Sequence, residues 1–376
     1  MRRLAAFAIL LISSGCRDYT ATCEDLRTCD VPAKDAMADS DALGGDSAAL
    51  GLPDGDRESG TFADAAGVNC KRSSDQGPTG TIVEFNIPTP ASTPGRITSG
   101  VDGNLWFTKG DGFGHNQIGR LTREGVFTDF PIPTVDGAAG ELHGITAGSD
   151  GNIWFTDNTS NQVGRITQTG ASTFFRVPTF DSGLGQIIAG TDRNLWFIES
   201  TANKIGRLAP GGAFTEFAIP IPDSGVAGIA PGPDGNMWFT EFETGVIGRL
   251  TPDGIFEEFR ISITGSAPVG PTSITAGPDG NLWVTDFYDR IRRISVQGAM
   301  SEIALSSGSR PSDIISGGDG NVWFTEYSSS KIARVTMAGA VTEFAVADRP
   351  AGLTVGPDCN LWFTERNANK IARFTP

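Results

Sequence analysis

Ser149-Asp150-Gly151-Asn152-Ile153-Trp154-Phe155-Thr156-Asp157 returns in seven versions along the chain, carrying Trp106, Trp154, Trp196, Trp238, Trp283, Trp323 and Trp362. These are all seven tryptophans of the 376 residues, spaced by 48, 42, 42, 45, 40 and 39 positions. A self-similar period of this length means that each repeat is one supersecondary unit, which cannot bury its own faces and must stack on its neighbours.

Around the quoted stretch, Gly144-Ile145-Thr146-Ala147-Gly148 is β-prone, and Ser149-Asp150-Gly151-Asn152 has turn chemistry, with Gly151 free to take a positive φ. Ile153-Trp154-Phe155-Thr156 reads as a second strand, 162–167 as a third and 171–177 as a fourth, ending at Pro178. Four short strands joined by tight turns make one propeller blade. The second strand is apolar on both faces, as expected where a sheet lies between two others.

The ends of the repeat array predict how the ring closes. The last repeat stops at Ile371-Ala372-Arg373-Phe374-Thr375-Pro376, one strand short. Thr81-Ile82-Val83-Glu84-Phe85-Asn86-Ile87-Pro88 matches the fourth strand of the third repeat, Phe214-Thr215-Glu216-Phe217-Ala218-Ile219-Pro220. The predicted fold is therefore all-β, a seven-bladed β-propeller of four-stranded blades, with the N-terminal strand completing the last blade so that no sheet edge is left open.

Before the repeats, Arg2 and Arg3 precede an apolar run from Leu4 to Ile12, then Ser13-Ser14-Gly15 and Cys16. That is the layout of an export signal, too short to span a membrane. The small residues before Cys16 resemble a bacterial lipoprotein signal, which implies lipidation of Cys16. Residues 30–66 hold nine acids, two bases and one aromatic, a composition that cannot bury enough apolar surface to order itself. The expected organisation is a signal peptide at 1–15, a lipid-anchored acidic tether at 16–80 and the propeller at 81–376. The product would be exported and held at the outer membrane or cell surface, touching the membrane only through its lipid, or else secreted. Cys23, Cys29, Cys70 and Cys359 remain, an even number for an oxidising compartment. Cys23 lies near Cys29 in sequence. Cys359 replaces a turn glycine in the seventh repeat, and Cys70 precedes the strand that completes it, so the expected pairs are Cys23–Cys29 and Cys70–Cys359.

A net charge of −15 supplies no basic footprint for nucleic acid. Arginines recur on the third strands (Arg120, Arg165, Arg207, Arg249, Arg293, Arg334, Arg373) and acids on the fourth (Glu84, Asp129, Glu216, Glu258, Glu302, Glu343). Cross-strand pairing between the two sets is the expected reason for their repetition.

The repeat core, Gly-Pro-Asp-Gly-Asn-Met-Trp-Phe-Thr-Glu at 232–241 followed by Ile247-Gly248-Arg249-Leu250-Thr251, resembles the virginiamycin B lyase (streptogramin lyase) family, and does so over the whole of 81–376. The resemblance implies a metal-dependent carbon–oxygen lyase that opens a cyclic depsipeptide antibiotic by elimination at its ester bond. In that family a histidine is the base, and Mg2+ is held by two acids, one two residues before the histidine and one at the end of the following Trp-Phe strand. This chain has Glu141-Leu142-His143-Gly144-Ile145 and a strand ending in Asp157. The resemblance thus assigns His143 as base and Glu141 and Asp157 as Mg2+ ligands. Independently of the family, antiparallel pairing of these two strands brings His143 and Asp157 together at the mouth of the central channel. The family's second histidine, which contacts substrate, is replaced here by Gly95. His115, in the loop between the second and third strands of the first blade, is the candidate to compensate as a substrate-binding residue. Insertions at 108–117, 133–143 and 261–272 fall on the same face as His143, where binding loops are expected.

Two other classes stay open: a non-catalytic propeller that binds a protein or glycan, and a lactonase-like hydrolase. In each, a monomer presents one face to a small-molecule or peptide ligand.

Overall fold

The computed structural model describes residues 80–110, 116–133, 141–262 and 269–376. The signal segment, Cys16, the tether, Cys23, Cys29, Cys70 and His115, for which the sequence sets expectations, lie outside the described residues. Within them are 28 strands in seven four-stranded antiparallel sheets. Blades 1 to 6 span 97–131, 142–176, 184–218, 226–260, 271–304 and 311–345; blade 7 takes 350–375 together with the strand Thr81–Asn86. Innermost strands of neighbouring blades touch all the way round, including Ile97–Ser99 with Pro350–Val355, so the ring is closed.

All seven second strands are buried from end to end. Between blades 1 and 2, Trp106, Ile118 and Ile132 meet Ile145, Ile153 and Phe155, and six equivalent clusters fill the other interfaces. The core is therefore seven slabs between sheets rather than one centre.

The repeated turn is explained by the tryptophan beside it. Trp154 donates its indole N–H to Asp150 Oδ1 at 3.0 Å, and Asn152 N–H donates to the same oxygen at 3.1 Å. The Arg165 guanidinium lies over the Trp154 ring, 5.4 Å from its centroid. All seven blades repeat this stack, with arginine to tryptophan distances of 5.3–5.9 Å. A buried indole needs a hydrogen-bond acceptor, and its face attracts a cation.

That stack corrects the expected pairing of arginines with fourth-strand acids. Arg207 stands opposite Thr215, whereas Glu216 stands opposite Gly206, one residue along and so on the other face of the sheet. Four of the six acids take lysines instead, as in Lys204–Glu216 at 2.9 Å, Lys331–Glu343 and Lys370–Glu84, and Glu302 takes Arg292 at 2.8 Å.

Ring closure is the antiparallel pair Thr81–Asn86 with Lys370–Thr375, in the register Thr81 to Thr375 and Asn86 to Lys370. Phe85 stacks on Trp362 with centroids 5.3 Å apart. Truncating this half-buried ring loses apolar contact and an aromatic pair; we expect Phe85→Ala to cost about 2 kcal/mol in urea denaturation. A cost below about 0.5 kcal/mol, the range of ordinary surface changes, would mean the closing strand is held by backbone hydrogen bonds alone. Cys359 occupies the turn position that is Gly151 in blade 2, with φ of 59° against 77°, and is disulfide-bonded. Its expected partner, Cys70, lies outside the described residues.

Candidate functional site at the channel mouth

Six of the seven innermost strands share an irregularity that makes the site. In blade 2, Leu142 pairs with Asp157 and Ile145 with Phe155, so His143 and Gly144 sit in a bulge between the two pairs. The bulge is pinned by Thr156: Gly144 N–H donates to its Oγ1 at 2.8 Å, and the hydroxyl donates on to Gly185 O of blade 3 at 2.6 Å. Thr240, Thr285 and Thr364 repeat the relay to Thr272 O, Ser312 O and Gly95 O, at 2.8, 3.1 and 2.7 Å. Threonine hydroxyls thus hand one blade to the next around the axis. Blade 3 has Ile198 at this position, and there the Gln186 side chain accepts from Ile229 N–H of blade 4 at 3.1 Å.

This belt fixes the tier in which His143 stands. His143 Nε2 lies 3.4 Å from Glu141 Oε1, both side chains partly open to solvent. Asn158 holds Glu141 from the other side, donating its side-chain N–H to Oε2 at 3.2 Å and its backbone N–H to Glu141 O at 2.9 Å. Asn158 Oδ1 in turn accepts from Leu184 N–H at 2.9 Å, which ties the group to blade 3. The hydrogen bond from His143 holds the Glu141 carboxyl down at about 2 against the opposing effect of burial; the charges of His143 and Arg366 and the Asn158 bond add to the lowering. Glu141 is therefore a carboxylate at any working pH, aimed at an imidazole.

Asp157 is buried, and burial raises its pKa, opposed by hydrogen bonds from Ser160 and Thr159. Its Oδ1 accepts from Ser160 N–H at 3.2 Å. Its register partner is Leu142, the residue between Glu141 and His143, so the three sequence-predicted residues lie at one end of one strand pair. Among the described residues no three His, Cys, Asp or Glu side chains gather closely enough to hold a metal ion by themselves.

Acids occupy the Asp157 position in five further blades: Glu199, Glu241, Asp286, Glu326 and Glu365, each fully buried. In blade 5 the acid is neutralised by Arg292 at 2.8 Å. In blade 1 the position is Lys109, buried against Asp129 at 2.6 Å. Blade 2 supplies neither arrangement, since Phe174 replaces the fourth-strand acid and Gln162 replaces the lysine.

Two groups escaped the sequence reading. Arg96 of blade 1 and Asp313 of blade 6 form an ion pair that reaches past blade 7. Arg366, at the end of the second strand of blade 7, acts electrostatically on Glu141. Aligning the first-strand bulges would have exposed the former: Arg96 and Asp313 are the two charged residues in a tier that otherwise holds Gly144, Gln186, Gly228, Ser273 and Gly352.

Fold and site together define a seven-bladed propeller with a carboxylate–imidazole pair at one mouth of its axis. The sequence profile of the virginiamycin B lyase family matches residues 69–183 and 135–376, and the chain belongs to that family. A streptogramin B lyase structure is 32% identical with a TM-score of 0.71, covering 78% of this chain and 96% of that one. Virginiamycin B lyase from Staphylococcus aureus is 31% identical with a TM-score of 0.72, covering 79% and 99%. The same figures hold for a catalytically inactive histidine-to-alanine variant of that enzyme with quinupristin. No curated protein matches the chain.

Proposed function

We propose that this chain is a lyase of the streptogramin type, opening a cyclic depsipeptide at its ester bond by elimination. The observation that carries the reading is the Glu141–His143 contact at the mouth, supported by similarity along nearly the whole length of a streptogramin B lyase and a virginiamycin B lyase. Glu141 accepts the proton on Nε2, which leaves Nδ1 as the nitrogen able to take a proton from the ligand. The same carboxylate stabilises the imidazolium that results. The carbon–hydrogen electron pair becomes the new double bond, the carbon–oxygen bond breaks, and its pair leaves on the ester carboxylate.

Glu141 and Asp157 are hard oxygen donors, and nothing else in blade 2 neutralises Asp157, so their chemistry suits Mg2+, which takes one or two carboxylates and keeps several waters. When bound there, the ion would polarise the carbonyl next to the departing proton. On this reading the protein is a lipid-anchored or secreted monomer with its mouth open to a peptide ligand.

The test is incubation of the full chain with quinupristin and Mg2+. Elimination yields a ring-opened product of unchanged mass, whereas hydrolysis adds the mass of one water. We expect the isomeric product. A water adduct would favour the hydrolase reading, and intact quinupristin would leave a recognition module.

A further inference from the structure

We infer that Arg96 positions the ligand, its guanidinium forming a carboxylate-recognising floor beneath the mouth. This deepens the lyase reading and rests on it. Arg96 N–H donates to Thr108 Oγ1 at 3.0 Å, as Gly144 N–H does to Thr156 and Asp313 N–H to Thr325, so all three residues stand in one tier around the axis. Arg96 belongs to the blade next to His143 and immediately follows Gly95, the residue that occupies the His143 position in blade 1.

Blade 7, which lies between the two partners, has Gly352 in the tier and so puts no side chain there. A Cβ there would lie 2.7 Å from Gly95 O and 2.9 Å from Arg96 Cα. At the far side, Arg96 Nη1 pairs with Asp313 Oδ1. Asp313 is fixed by Leu353 N–H, which donates to Oδ2 at 2.9 Å, and by Ser273 Oγ, 3.4 Å from Oδ1. The two ends differ in access: the aspartate side chain is 8% exposed and that of the arginine 35%. Among the described residues the guanidinium makes no other hydrogen bond, so Nε and Nη2 remain as donors on a cation whose plane is already set. Such a fork fits a carboxylate better than any neutral acceptor. In the elimination, negative charge appears on the departing carboxylate, and Arg96 is the group placed to receive it.

The experiment compares wild type with the Arg96→Met/Asp313→Asn double variant, which removes the cation without leaving a buried orphan charge. Each is titrated calorimetrically with quinupristin and with its saponified, ring-opened acid. Turnover of quinupristin is followed in parallel, with Arg96→Lys as a charge-retaining control. We expect the double variant to bind the acid at least tenfold more weakly than wild type, with a smaller loss for the uncharged ring and partial rescue in Arg96→Lys. Equal affinity for the acid, or equal losses for acid and ring, overturns the assignment while wild-type turnover leaves the lyase reading standing. A wild type that neither binds nor opens quinupristin overturns both.

Discussion

If the proposed lyase reading holds, we expect His143→Ala to lower the rate of depsipeptide ring opening by about 10³-fold, in the middle of the range for loss of a positioned general base. The fold should be unaffected, because the imidazole is partly solvent-exposed and its nearest charged partner, Glu141, is itself open to water. The measurement is single-turnover ring opening of quinupristin alongside urea denaturation of both proteins. Glu141→Gln is the companion: the imidazole keeps a hydrogen-bond acceptor but loses the charge that stabilises its protonated form, so an intermediate loss is expected. If His143→Ala retains more than about a tenth of the wild-type rate, less than a typical general base contributes, the base is elsewhere and the channel mouth loses its assignment.

The second expected result concerns stability, and its sign runs opposite to ordinary acid denaturation. Burial pushes the Glu199 carboxyl up to about 7, with the nearby Glu216 charge adding and Lys204 opposing. Burial likewise raises Glu241 to about 7, with Glu258 adding and the Thr244 hydrogen bond opposing. Both oxygens of Glu199 and Oε1 of Glu241 are buried without a hydrogen-bond partner. The unfolded chain releases these protons near 4.5. Between that value and 7 the folded state therefore holds protons that the unfolded state has lost, and stability falls as pH rises through this window. Above it the loss is complete, at most about 3 kcal/mol for each group. Urea denaturation at pH 5 and pH 8 should find wild type weaker at pH 8. Glu199→Gln and Glu241→Gln should each recover about 2 kcal/mol there and change little at pH 5. Variants that keep the wild-type pH dependence would show that these carboxyls ionise freely in the fold.

The fold was legible because one residue type marks it. Each Trp anchors a turn Asp and an Arg in a repeated stack, so seven tryptophans announce seven blades, and the missing last strand announced how the ring closes. The Glu141–His143 pair was legible because it is local, two residues apart at a strand end. The side on which the repeated arginines and acids lie was not. Arg207 and Glu216 differ by one step of register, and residue type does not set register. Arg96–Asp313 was hidden for another reason: its partners are separated by five blades of sequence and meet through the curvature of the ring.

Closing the ring with Thr81–Asn86 also fixes an order of events. That strand is synthesised before any blade exists, and its partner, Lys370–Thr375, belongs to the last blade made. Until the whole array is present, Ile82, Val83 and Phe85 have no sheet to join, and the edge of blade 7 stands open. A chain caught at that stage offers a second copy the same strand that it needs for itself. Exchange of this strand between two chains is thus the misassembly this architecture invites.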